Sequence, residues 1–149
     1  MKLLLSICNW VVMLAVVSCI VPPPNGVQES ADSVNIAQQA NLHQTSKLEI
    51  LALTAASNGD YTLVAQVDDP ALITKIVTTL DQDLPLLPAL RCIDHYRLRF
   101  ILTDGVVQEF GYLCQDDHAY LQSGPGFLQG HAVEPPATLL EIVRGQVKE

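Results

Sequence analysis

YRLRFILTDGVVQEFGY, residues 96–112, decides the fold. Tyr96, Leu98, Phe100 and Leu102 alternate with Arg97, Arg99 and Ile101, and His95 precedes them. A period of two is the signature of a strand with one buried face. Asp104-Gly105 supplies turn chemistry, and the chain returns through Val107 to Cys114 as the second arm of a hairpin. A connection of about three residues is expected to place Phe100 opposite Phe110 and Leu98 opposite Tyr112, keeping apolar partners on one face. Arg97 and Arg99 then lie on the opposite, solvated face, available to Glu109 or to an anionic partner.

Upstream, residues 47–67 read as another hairpin. Leu48, Ile50 and Ala52 share one face, with Glu49, Leu51 and Leu53 on the other, and the near-continuous apolar run suggests burial on both sides. Ser57-Asn58-Gly59-Asp60 is the turn, after which Tyr61, Leu63, Ala65 and Val67 continue on alternate positions. Asp69 suits a helix N-cap and Pro70 the first helical position. Leu72, Ile73, Ile76, Val77 and Leu80 follow at helical spacing, with an end expected near Asp81. Asp83 to Arg91, with Pro85, Pro88 and four leucines including Leu86 and Leu87, reads as an apolar loop over the core.

Downstream, Ala119 to Gln122 is a candidate short strand and Ser123-Gly124-Pro125-Gly126 a loop. Pro135-Pro136 opens a last helix whose stripe is Leu139, Leu140, Val143 and Val147. The order predicts an α+β fold, ββαββ(β)α: an antiparallel sheet of two hairpins and a short strand, with two helices on one face.

The N-terminus is of another kind. No charge occurs from Leu3 to Val21, and a single basic residue, Lys2, precedes this apolar run. That is the grammar of a secretory signal, and its end, Val16-Val17-Ser18-Cys19, resembles the lipobox of bacterial lipoproteins. The resemblance implies cleavage before Cys19, lipidation of its sulfur, and an extracytoplasmic protein anchored to the bacterial cell membrane. An uncleaved anchor helix and a plain signal cut elsewhere are the other readings. The chain is then expected to divide into a signal peptide (1–18), a lipidated Cys19 with a flexible tether rich in Pro, Gln, Asn and Ser (19–46), and a globular domain (47–149). In general outline that domain resembles small secreted domains of bacteria.

Losing Lys2 leaves seven of the eight basic side chains against sixteen acidic ones. Binding to phosphate backbones requires clustered Lys and Arg, so nucleic acid is not an expected partner, and acyl chains rather than charge would hold the membrane.

Two cysteines remain, Cys92 and Cys114, and an exported chain with two spare thiols joins them in a disulfide. The expected register sets Cys114 opposite Tyr96, too far from Cys92 for a straight strand, so either the chain turns back at Ile93-Asp94 or the register differs. The competing reading is a zinc site, with Cys92, His95, Cys114 and His118 as four ligands at Cys-x-x-His and Cys-x-x-x-His spacings. Asp94-His95 and Asp116-Asp117-His118 also contain groups for acid-base chemistry, without a sign of a cleft.

The expected function is therefore a membrane-tethered, noncatalytic binding or accessory module for a protein or envelope polymer, without a cofactor. One alternative is a zinc-binding or hydrolytic envelope protein. Another is an inhibitor of a secreted hydrolase, presenting Leu86 and Leu87.

Overall fold

A computed structural model describes residues 32–53, 60–114 and 119–147. The signal segment, Cys19 and the Ser57–Gly59 turn lie outside the described residues, as do Asp116, Asp117 and His118. In chain order the elements are β1 (Ser33–Asn35), α1 (Ile36–Gln39), β2 (Thr45–Leu53), β3 (Tyr61–Val67), α2 (Pro70–Leu80), β4 (Asp83–Pro85), β5 (Leu87–Pro88), β6 (Tyr96–Leu102), β7 (Val107–Tyr112), β8 (Leu121–Gln122), β9 (His131–Val133) and α3 (Ala137–Gln146). Single 3-10 turns occur at Leu42–Gln44 and Gly126–Leu128. One antiparallel sheet runs β3-β2-β6-β7-β8-β9-β5, and β1 pairs with β4 in a separate ribbon.

This overturns the expected α+β architecture. Among the described residues the chain is β-rich, with strands in two sheets outweighing three helices, one of which is a single turn. The strands missed by periodicity are two or three residues long, too short to display a period of two. Partners distant in sequence define them: β5 pairs with β9, setting Leu87 opposite Ala132.

The β6–β7 hairpin has the expected three-residue connection but not the expected register. The Gly105 N–H donates to the Leu102 carbonyl at 3.0 Å, and the Leu102 N–H donates to that of Val106 at 2.8 Å. Asp104 accepts from the Val106 N–H at 2.9 Å, and Gly105 takes a φ of +84°, a conformation that favours glycine. These bonds set Leu98 opposite Phe110 and Tyr96 opposite Tyr112, two residues from the register predicted above. A slip of two leaves every side chain on its own face. The apolar pattern is therefore blind to it, and the turn decides. Phe100 and Phe110 become diagonal neighbours, edge to face with centroids 5.9 Å apart.

The β2–β3 pair contains a bulge. Ile50 lies opposite Ala65 but Leu51 lies opposite Leu63, so Val64 is the extra residue. An inserted residue exchanges the faces beyond it. Ala65 and Val67 share the inner face with Ile50 and Leu48, whereas Leu63 and Tyr61 join Leu51 and Leu53 outside. The unbroken alternation read from Tyr61 to Val67 is thereby corrected. The outer face of β2 is half-buried rather than buried.

Asp69 caps α2 by accepting from the Ala71 N–H at 3.0 Å, Pro70 opens the helix, and Asp81 ends it, as the sequence predicts. Ile73, Ile76, Val77 and Leu80 are buried along its stripe, and Leu139 and Val143 along that of α3. With Leu48, Ile50, Leu98, Phe100, Phe110 and Tyr112 of the sheet they form one core.

Residues 32–46, expected to belong to a flexible tether, are part of the fold. Ile36, Ala37 and Leu42 belong to this core, and Asn35 caps α1 by accepting from the Gln38 N–H at 3.0 Å. Asp81 accepts from Asn35 Nδ2 at 3.0 Å and Gln38 Nε2 at 3.3 Å and faces His43 Nε2 at 3.3 Å. These bonds hold its carboxyl below the ordinary range, with Asn35 the largest cause. The fold therefore includes residues 32–46, because a few large apolar side chains among many polar ones suffice to anchor a short segment.

Candidate functional site

The outer face of the sheet carries Arg97, Arg99 and Glu109, three of the charged residues singled out in the sequence. Arg99 Nε meets Glu109 Oε2 at 2.8 Å and Arg97 Nη1 meets Glu109 Oε1 at 3.5 Å. Arg99 Nη1 also approaches Glu49 at 3.8 Å, and Glu49 pairs with Lys47 at 3.0 Å. Arg97 stacks over the Tyr61 ring, 4.9 Å from its centroid. Glu109 thus takes both arginines, the arrangement expected if they serve each other rather than an outside anion. Exposed pairs of this kind contribute about 0–1 kcal/mol each; their main consequence is a face of balanced charge.

At one end of this face Cys92 and Cys114 form a disulfide, with Cα atoms 5.7 Å apart. Pairing runs on past the formal start of β6, since the His95 N–H donates to the Leu113 carbonyl at 2.8 Å and the Leu53 N–H to that of His95 at 2.9 Å. The register resolves the sequence-level conflict. The register brings Cys114 two residues closer to Cys92, and the chain bends at Cys92 and at His95. Leu113 adopts a φ of +58°, a strained conformation for a bulky side chain, held between its bonds to His95 and Tyr120 and the adjoining disulfide.

Asp94 is 4% exposed. Its Oδ1 accepts from Gln122 Nε2 at 2.8 Å, its Oδ2 lies 3.6 Å from Arg97 Nη2, and its carbonyl accepts from the Tyr61 hydroxyl at 2.6 Å. Gln122 also accepts the Leu90 N–H at 3.2 Å and points Nε2 at Cys92 Sγ, 3.5 Å away. The carboxyl occupies the place where a Cβ on Gly111 would stand. Burial pushes its pKa up, against the opposing effects of Gln122, Arg97 and His95. Gln122 and Gly111 were missed in the sequence. The available signal was a glycine inside a strand of large residues, which marks close approach of another group.

The remaining candidates are dispersed. His95 is exposed, and the two sulfurs intended for zinc are bonded to each other, so a thiolate site requires the reduced chain. Among the described residues no group of three or more His, Cys, Asp or Glu side chains is placed to hold a metal ion. Leu86 and Leu87 do not form a projecting loop. The Leu86 N–H donates to the Asp32 carbonyl at 2.7 Å, its side chain packs on the core, and Leu87 lies half-buried in β5.

No family model matches the chain, and neither a curated protein nor a solved structure is found similar to it. Among the described residues no helix is long and apolar enough to cross a membrane.

Proposed function

We propose that this chain is an exported lipoprotein, anchored to the bacterial cell membrane through acyl chains on Cys19, that serves as a noncatalytic binding or accessory module. The observation that carries the reading is Val16-Val17-Ser18-Cys19 at the end of an uncharged apolar run. A Cys92–Cys114 disulfide suits an oxidising compartment outside the cytoplasm. The module reading draws on a sheet face whose arginines are neutralised from within and a buried Asp94 enclosed by Gln122, Arg97 and Tyr61. A catalytic acid needs access to a reacting atom, and Asp94 is walled off from one.

The packing of residues 32–46 alters the geometry of anchoring. From Cys19 to Asp32 the chain reaches at most about 45 Å, at roughly 3.5 Å per residue. A protein or envelope polymer bound by the module therefore lies close to the bilayer. Replacing Cys19 in the full chain tests the anchor. Wild type is expected in the membrane fraction without residues 1–18 and with added acyl mass, and Cys19→Ala without acyl mass and with residues 1–18 retained. A Cys19→Ala protein that stays fully membrane-bound at the wild-type mass apart from the substitution, or a wild-type mass without acyl groups, refutes the proposal.

A further inference from the structure

Residues 90–94 lie between β5 and β6 as a strap. At its ends the Ala89 N–H donates to the Gly130 carbonyl at 3.2 Å and the His95 N–H to that of Leu113 at 2.8 Å. Between them, among the described residues, no backbone–backbone hydrogen bond ties the strap down. Its restraints are the Cys92–Cys114 disulfide and a few side chains. Gln122 of β8 supplies three contacts: Oε1 accepts from the Leu90 N–H, and Nε2 donates to Asp94 Oδ1 and approaches Cys92 Sγ. The Tyr61 hydroxyl of β3 donates to the Asp94 carbonyl, and Arg97 of β6 faces the Asp94 carboxyl at 3.6 Å.

We propose that the strap is a redox latch: a dithiol that reduces Cys92–Cys114 frees residues 90–94 from the sheet and releases the Asp94 carboxylate to water. In the reaction two electrons and two protons pass from the dithiol to the sulfurs. The S–S bond breaks, Cys92 and Cys114 become thiols, and the reductant leaves as its own disulfide. Opening is driven from inside the fold. Asp94 is 4% exposed, and a carboxylate at such a site lacks the solvation that water provides. The groups facing it offset little of this. Arg97 is shared with Glu109 at 3.5 Å, His95 is exposed, Gln122 is neutral, and Gly111 of β7 presents no side chain. The raised pKa of Asp94, with burial as its largest cause, agrees with that balance. Leu113 adds to it, because its φ of +58° beside Cys114 is a strained conformation that the disulfide helps to hold. With the disulfide open, few bonds oppose local release of the strap. This inference goes beyond the anchored-module reading and does not rest on it.

The test is limited trypsin digestion of the full chain at neutral pH, with cut sites mapped by mass, before and after treatment with dithiothreitol. Reduced wild type is expected to be cut after Arg91 severalfold faster than the oxidised chain, while Arg99, within β6, stays protected in both. Reduced Asp94→Asn keeps a neutral side chain under the strap and is expected to be cut after Arg91 severalfold more slowly than reduced wild type. Oxidised Asp94→Asn is expected to resist like oxidised wild type. Equal cutting at Arg91 in oxidised and reduced wild type overturns the proposal. So does equal cutting in the reduced wild-type and Asp94→Asn chains, cutting at Arg99 in step with Arg91, or an oxidised Asp94→Asn chain cut as fast as its reduced form.

Discussion

Asp94 illustrates how one side chain acquires a property its sequence context does not announce. Burial raises its pKa above the ordinary carboxylate value of 3.8, so the folded state holds its proton more tightly than the unfolded chain does. Its contribution is most favourable below 3.8 and declines as pH rises through the folded pKa. Asp94→Asn keeps an oxygen to accept from Gln122 and removes the titration. Urea unfolding from acid to neutral pH is expected to show wild type losing stability relative to Asp94→Asn across that window, with the difference constant above it. Parallel pH profiles for the two proteins contradict this account. Sequence alone places Asp94 beside a cysteine and a histidine, where ligand and catalytic readings arise. The nearby space left by Gly111 and the donor from Gln122 come from strands that meet only in the folded chain.

Among the elements, α2 was the most legible, since its cap, its opening proline and its stripe all lie within a dozen residues and answer to local chemistry. The segment before β2 was the least legible. Its polar composition resembles that of a tether, yet Ile36 is fully buried. Ile36→Ala is therefore expected to cost about 2–5 kcal/mol in chemical denaturation, the range for deleting a buried aliphatic side chain. A change within about 0.5 kcal/mol, typical of an exposed site, identifies the segment as a tether after all. The β3 bulge belongs to the same scale: one inserted residue moves Leu63 from the expected core set to the surface, a switch that an alternation count along the strand cannot register.

For the whole molecule, the disulfide joins positions 22 residues apart and staples the lead into β6 to the end of β7. Closing a loop of this length restricts the unfolded chain by about 3 kcal/mol. The double variant Cys92→Ser/Cys114→Ser is expected to lose stability of that order in urea, and the native chain to weigh two hydrogens less than its reduced form. Full native stability in the double variant, or two free thiols in the oxidised preparation, refutes the staple. The same scale explains the error in fold class. A short strand such as β5 or β9 exists because another segment pairs with it, so an inventory of locally periodic segments understates the sheet.

What the sequence determined by itself is what neighbouring residues impose on one another: the two-residue period of β6, the Asp-Gly turn, the capped start of α2, and the candidate lipidation motif at Cys19. Register, the β3 face exchange, the short strands, the burial of Ile36 and the Asp94–Gln122–Gly111 contact were decided by tertiary structure. The division follows from range. Capping and periodicity operate within a few residues, whereas a slip of two conserves every apolar face and a buried carboxyl depends on groups tens of residues away.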